Sequence, residues 1–296
     1  MHDGAGAPDL TGALANLQDR TFDFIVNPYD DTSSLDAMKE FLSAISGRWA
    51  WDKQLYGHSF GTTAGTYAQL GTKGEVRNNQ HETLMGVNKS PSPTWLWSAG
   101  YTGAAAVSLR NDPGRPVQSL AILGVLAPAL QDRFELTERN NLLYSGISTF
   151  TVDDDGTVRI ENLITTYQKN AYGDADDSYL EVETLFSLMF VTRYLRTAVT
   201  SKFGRMKLAA DGTRFAPGAA IVTPNIIKAD QIAEYGKLVW NGYAQDKEAF
   251  AKNIIVEQNA KNPNRVDVLW PGTLINQLRV FALLNQFRTR AESTGA

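Results

Sequence analysis

Strand-like and helix-like patterns alternate along the first half of this chain, and that alternation restricts the fold more than any other feature of the sequence. Apolar runs typical of buried strands occupy residues 22–26, 82–87 and 120–126. Between them, apolar residues recur at helical spacing over 35–45 and 95–109. Because strands that alternate with helices favour crossover connections, the pattern predicts an α/β layer with a mostly parallel sheet.

Hairpin and helix-cap signals replace this alternation after about residue 134. The Asp-Gly pair at 155–156 lies between two strand-like segments, 146–152 and 157–163, and predicts a β-hairpin. Asn-Pro-Asn at 262–264 predicts a second turn. Ser178 and Glu181 have the spacing of a capping box before a long apolar helix. We therefore expect two domains, a sheet-based α/β domain over residues 1–133 and an α+β domain over residues 134–296.

The last apolar segment, residues 274–287, carries apolar side chains at both odd and even positions. A strand with this pattern has two faces to bury, so the segment predicts a long terminal strand with neighbours on both sides. An unpaired terminal strand offers free N–H and C=O groups to another chain, which makes it a candidate joint between subunits.

Composition excludes several classes of protein. The chain has no cysteine, which removes disulfides, thiolate metal sites and cysteine nucleophiles. Its formal net charge of −4 gives no basic excess for nucleic acid. The first eight residues lack the pattern of a signal peptide, and the apolar stretch 185–191 is too short to span a bilayer. We expect neither nucleic-acid binding nor membrane insertion.

The run Gly-His-Ser-Phe-Gly at 57–61 matches the nucleophile elbow of serine hydrolases, in which a serine occupies a tight turn between a strand and a helix. A short apolar segment precedes it and small residues follow it, as that motif requires. A serine hydrolase using Ser59 is therefore the alternative function that the sequence offers.

A catalytic triad also needs a histidine base, and the sequence does not supply one in a suitable place. The chain has three histidines, at positions 2, 58 and 81. In the hydrolases with this elbow the base follows the serine late in the chain, and His58 is adjacent to Ser59 on the motif itself. A Ser-Lys dyad remains open, without a recognisable spacing. We expect the run to be a glycine-flanked turn and the chain to have no catalytic residue.

Metal and nucleotide motifs are incomplete. Asp174-x-Asp176-x-Ser178 resembles the start of a calcium loop, but Tyr179 replaces the required glycine and Leu185 the required glutamate. No Gly-x-x-x-x-Gly-Lys motif occurs. The sequence therefore predicts no metal site and no cofactor.

Several segments, taken in order, resemble the contractile tail sheath proteins of Mu-like phages. The segments are residues 57–60, 78–81, 143–147, 165–167, 178–180, 262–269 and 274–282. The resemblance covers nearly all of residues 10–287.

This resemblance implies a subtilisin-like α/β fold used as a non-catalytic scaffold, followed by a C-terminal α+β domain. It further implies a structural subunit of the virion tail, assembled in the host bacterial cytoplasm, that forms six-fold rings stacked into a helical sheath. Its partners would be other copies of itself, the tail tube, the baseplate and the tail terminator. Contraction of the sheath would drive the tube through a cell envelope. A baseplate or other tail adaptor on the same scaffold is a further alternative.

Such proteins usually carry more sequence before the α/β domain, so we expect this chain to lack an N-terminal region. In the family, terminal arms add strands to neighbouring subunits, which places the expected subunit interface in the terminal strand. The expected interface residues are Leu274, Asn276, Leu278, Arg279, Val280, Phe281, Arg288 and Arg290.

Overall fold

A parallel three-stranded sheet organises the first half of the chain in the computed structural model, which describes residues 6–279. The sheet order is β1-β2-β3, with β2 in the centre. Past β3, Ser148 bonds to the main chain of Leu84 and Gly86 and extends the sheet in the parallel direction. The elements in this half are α1 (Thr11–Ala15), β1 (Phe24–Val26), α2 (Thr32–Leu42), β2 (His58–Ala64), α3 (Tyr67–Val76), β3 (Glu82–Val87) and α4 (Thr94–Asn111).

Helices cover both faces of this sheet because alternate strand residues point to opposite sides. On β3, Leu84 packs with apolar residues of α2 and α3, whereas Met85 packs with the core that α4 covers. The strands at 22–26 and 82–87 and the helix at 95–109 are thus confirmed, as is the mixed α/β class.

Two local predictions in this half are wrong. Helix α2 begins after Asp31, whose side chain accepts from the Ser34 amide at 2.9 Å, and it ends at Leu42. Ile45, predicted on its buried face, is therefore exposed. The run at 120–126 forms no strand, because after three main-chain bonds to β5 (Val158–Asn162) the left-handed Gly124, at φ +84°, turns the chain away.

The hairpin predicted around Asp-Gly 155–156 is confirmed. Strands β4 (Thr149–Val152) and β5 pair antiparallel, and the Asp153 amide donates to the Thr157 carbonyl at 2.9 Å. Helix α5 (Leu136–Tyr144) precedes the hairpin and packs against α3.

The long helix α6 (Val182–Phe203) belongs to two cores. Phe186 and Met189 pack with the sheet, and Val191 and Leu195 pack with the C-terminal elements. The predicted capping box is wrong, since Ser178 donates to Asp176 at 2.5 Å and the helix starts only after Glu181.

Short strands and two helices build the second core. They are β6 (Lys207–Leu208), β7 (Ile221–Val222), α7 (Pro224–Trp240), β8 (Ala244–Gln245), α8 (Lys247–Asn253), β9 (Ile255–Gln258), β10 (Val266–Leu269) and β11 (Thr273–Leu274). Strands β9 and β10 form the hairpin predicted around 262–264. The domain division at 133/134 stays a prediction.

The predicted terminal strand at 274–287 is wrong over the part that the structure describes. Only β11 is a strand, paired with β8, and residues 275–279 have no regular structure. The side chains of Gln277 and Arg279 contact α6 and its N-cap residue Glu181, in place of the pairing that the sequence pattern suggested. Val280, Phe281, Arg288 and Arg290 lie outside the described residues.

Candidate functional site

Ser59 is part of the central strand β2 and not of a turn, so the expected glycine-flanked turn at 57–61 is wrong. Ser59 is only 1% exposed, and its main chain pairs with that of Glu82 on β3. The left-handed residue of the run is Gly57, just before β2, where φ is +122° and an added Cβ would meet the Phe22 carbonyl oxygen at 2.5 Å. A serine buried within a sheet has no access to a substrate.

The two described histidines are held neutral in the core. His58 Nε2 lies 2.8 Å from Thr83 Oγ1, and the His81 ring stacks on Trp49. Burial lowers the pKa of His58 well below its ordinary value and lowers the pKa of His81 to about 3. No hydrogen bond joins either side chain to Ser59 within residues 6–279. Ser59 and the two described histidines therefore form no pair of nucleophile and base.

The calcium-like loop is held by its own hydrogen bonds. Asp176 Oδ1 accepts from the Ser178 amide, and its Oδ2 accepts from the Tyr167 hydroxyl at 2.7 Å. Over the described residues, no group of three or more histidine and acidic side chains could hold a metal ion. None of the helices described is long and apolar enough to cross a membrane.

Residues 275–279, here called the C-terminal strap, run along α6 toward its N-terminal end. Ile275 lies beside Gly114, whose added Cβ would also meet the Ser187 hydroxyl of α6. Further on, the Gln277 side chain reaches Thr184 at 3.5 Å. The strap is therefore packed on its own subunit along two turns of the helix.

An ion pair ends the strap. Arg279 Nη2 lies 2.6 Å from a Glu181 carboxylate oxygen and 2.7 Å from Glu183 Oε2. Glu183 is fully buried, and its other oxygen accepts from the Val117 amide at 2.7 Å. Burial raises the pKa of Glu181, and the positive charge of Arg279 opposes that shift. Removing the guanidinium would leave a buried carboxylate without a cation.

The expected interface residues fall into three groups. Leu274 is half-buried in β11, and Arg279 is paired within the chain. Asn276 and Leu278 are exposed, Leu278 at 72%. The remaining four lie outside the described residues. None of these positions is tested by a contact with another chain, so the set stays a prediction.

A second surface was missed by the sequence reasoning. Residues 90–109 and 116–131 contain no charged side chain. The structure brings these runs together, because Gly100 of α4 lets the backbone at Leu123 approach to within 2.9 Å of where a Cβ would lie. Six apolar side chains of these two runs are exposed, and this set is called here the apolar patch: Trp95, Leu96, Val107, Leu123, Leu126 and Leu130.

Such a patch is typical of protein interfaces, whose buried centres are depleted in charged residues. Two hydrogen bonds hold the loop beside the start of α4: Ser92 Oγ accepts from the Leu126 amide at 2.8 Å, and Ser90 donates to the Leu126 carbonyl. The two charge-free runs are visible in the sequence and could have indicated this surface.

Comparison with known proteins identifies the family. Residues 3–166 match the phage tail sheath protein central domain, and residues 174–288 match the phage tail sheath C-terminal domain. The chain therefore belongs to the phage tail sheath family, which confirms the resemblance drawn from its motifs.

One curated relative is the Mu-like prophage FluMu tail sheath protein of Haemophilus influenzae. It is 42% identical over 287 residues, which cover 97% of this chain and 58% of that protein. The chain thus spans little more than half the length of this relative.

Solved structures share the fold. The sheath tail protein of Desulfitobacterium hafniense has a TM-score of 0.56 at 14% identity, over 90% of this chain and 56% of that one. The helical sheath of the anti-feeding prophage in its contracted state has a TM-score of 0.58 at 13% identity, over 97% of this chain and 76% of that one.

Proposed function

We propose that this chain is a structural subunit of a contractile tail sheath, which polymerises around a tail tube and contracts to drive it through a cell envelope. The observation that carries the proposal is the order of the two family matches, which together account for nearly the whole chain. The 42% identity to a prophage tail sheath protein supports it. The role is structural and not catalytic, in keeping with the burial of Ser59.

The partners follow from this role. Copies of the chain would form six-fold rings stacked into a helix, in contact with the tail tube, the baseplate and the tail terminator, within the virion tail. The solved relative described as a contracted helical sheath supports self-assembly. The subtilisin-like relationship of the first domain is also a proposal, supported by its parallel sheet with helices on both faces.

Two surfaces are proposed to join subunits. One is the C-terminal segment with the eight residues named above. The other is the apolar patch, which would meet a second copy of the chain, because a helical polymer must bury unlike surfaces of identical subunits against each other. An uncharged patch suits this role, since its burial leaves no charge without a partner.

Electron microscopy of the purified chain tests the proposal. We expect rings or helical polymers from the full chain. A variant ending at Arg279 should lose them, because it keeps β11 and the strap but lacks residues 280–296. This variant keeps every described element of the fold, so it should still unfold in a single cooperative thermal transition. Failure of the full chain to form any ring or polymer would contradict the proposed sheath function. Normal polymers from the shortened chain would contradict the proposed role of the C-terminal segment in joining subunits.

A matched pair of substitutions tests the apolar patch. Val107→Asp places a charge in the patch near the end of α4, whereas Val76→Asp places one near the end of α3. The two side chains are similarly exposed, at 68% and 77%. We expect Val107→Asp to weaken polymerisation and Val76→Asp to leave it unchanged. Equal behaviour of the two variants would remove the patch from the interface.

A further inference from the structure

The C-terminal strap is held to the main body of its own subunit at several successive points. Up to Leu274 the chain is held in β11, where the Gln245 side chain donates to the Leu274 carbonyl at 2.9 Å. Ile275 and Gln277 then contact the main body at Gly114 and Thr184. The contacts therefore continue without a gap from the last strand to the ion pair.

Breaking the ion pair at the end of the strap costs more than breaking a surface pair, because its acceptor Glu183 is buried. Glu183 is fully buried, and its two oxygens are used by Val117 and Arg279. If the strap left α6, this carboxylate would remain in the core with a single hydrogen bond and no cation. The buried carboxylate thus opposes release of the strap.

We propose that Arg279, paired with Glu181 and Glu183, clamps the strap to its own subunit, so that residues 275–279 stay on α6 when subunits join. Arg279 is then a positioning residue for assembly, and the inference rests on the proposed sheath function. It differs from the expectation of one donated strand over residues 274–287, in which the strap would have to leave α6 when subunits join.

Thiol labelling tests the clamp in the isolated chain. The chain has no cysteine, so a single introduced cysteine reports only its own exposure. We expect Gln277→Cys to react with a maleimide about tenfold more slowly than Leu278→Cys, because the side chain at 277 is partly buried beside Thr184 whereas Leu278 is 72% exposed. Equal labelling rates at the two positions would overturn the clamp, whether or not the chain polymerises.

Two substitutions separate charge from bulk. In the Gln277→Cys background, Arg279→Met keeps the apolar stem of the side chain and removes its charge, and Arg279→Lys keeps the charge. We expect Met to raise the labelling rate to that of Leu278→Cys and Lys to keep it slow. Slow labelling in the Met variant would show that packing alone holds the strap and would overturn the role of the ion pair.

A covalent lock tests the consequence for assembly. In a Thr184→Cys/Gln277→Cys variant, a short bis-maleimide would join the strap to α6, and the two single variants treated with the same reagent are the controls. We expect the locked chain to polymerise as the controls do. Loss of polymers only in the locked chain would show that the strap must be released, which overturns the inference and leaves the sheath function intact. Absence of polymers in the controls would instead count against the proposed function, and the labelling rates would still decide the clamp.

Discussion

Gly74 and Gly103 both lie inside helices, yet their surroundings predict opposite effects of the same change to alanine. A Cβ at Gly103 of α4 would have no other atom within 4 Å. A Cβ at Gly74 of α3 would lie 2.0 Å from the carbonyl oxygen of Ser145 and 2.9 Å from Ile147 Cγ1. Alanine gains roughly 0.5–1 kcal/mol over glycine in a helix, because glycine loses more backbone freedom on folding.

That gain is the whole effect at Gly103, so Gly103→Ala should raise the free energy of unfolding by about 0.5–1 kcal/mol. At Gly74 the contact is with a main-chain atom, which no side-chain rotation can relieve. The end of α5 and the start of β4 would have to move away from α3. Overpacking of this kind costs about 1–3 kcal/mol or more, so Gly74→Ala should lower the free energy of unfolding by a net amount of that order.

Urea unfolding followed by tryptophan fluorescence measures both variants against the parent chain. The midpoint should rise for Gly103→Ala and fall for Gly74→Ala, with similar slopes. A Gly74→Ala variant as stable as the parent would refute the close approach of α3 to Ser145. A destabilised Gly103→Ala variant would show that this face of α4 is not open in the free chain.

Three further predictions concern the buried polar groups. Glu82→Gln should lower the free energy of unfolding by about 3–5 kcal/mol, because both oxygens of Glu82 form a buried pair with Arg77. Asp36→Asn removes the exposed partner of the same arginine and should lower it by less than about 1 kcal/mol. Equal losses in the two variants would show that Glu82 is not buried as described. Fluorophosphonate labelling should be absent in the parent and unchanged in Ser59→Ala, and labelling lost on that substitution would restore the hydrolase alternative. Folding lowers the pKa of His81 from 6.5 to about 3, so between pH 3 and pH 6.5 the side chain is neutral in the folded chain and protonated in the unfolded chain. The free energy of unfolding should therefore fall as the pH drops below 6.5. His81→Asn should reduce this dependence of stability on pH, measured as the change of the urea midpoint between pH 7 and pH 5. An unchanged dependence in the variant would refute the contribution of His81.

Local patterns determined much of the fold from the sequence alone. The strand at 82–87, the helix at 95–109 and the hairpin around 155–156 were all predicted and found. Each depends on signals within a few residues, namely periodicity or an Asp-Gly turn. The order of short motifs along the chain was sufficient to indicate the family, which the matches over both domains confirm.

Tertiary contacts decided what those patterns could not. The residues next to Ser59 in the sequence match a nucleophile elbow, but Ser59 lies in β2, which pairs with β1 on one side and β3 on the other. This pairing joins residues far apart in the chain, so the local motif does not reveal it. Residues 275–279 belong to a segment that the sequence predicts as a strand, yet they follow α6, where Arg279 pairs with Glu183, 96 residues earlier. A buried carboxylate that needs a cation can override local strand propensity, and its position is known only once the chain has folded.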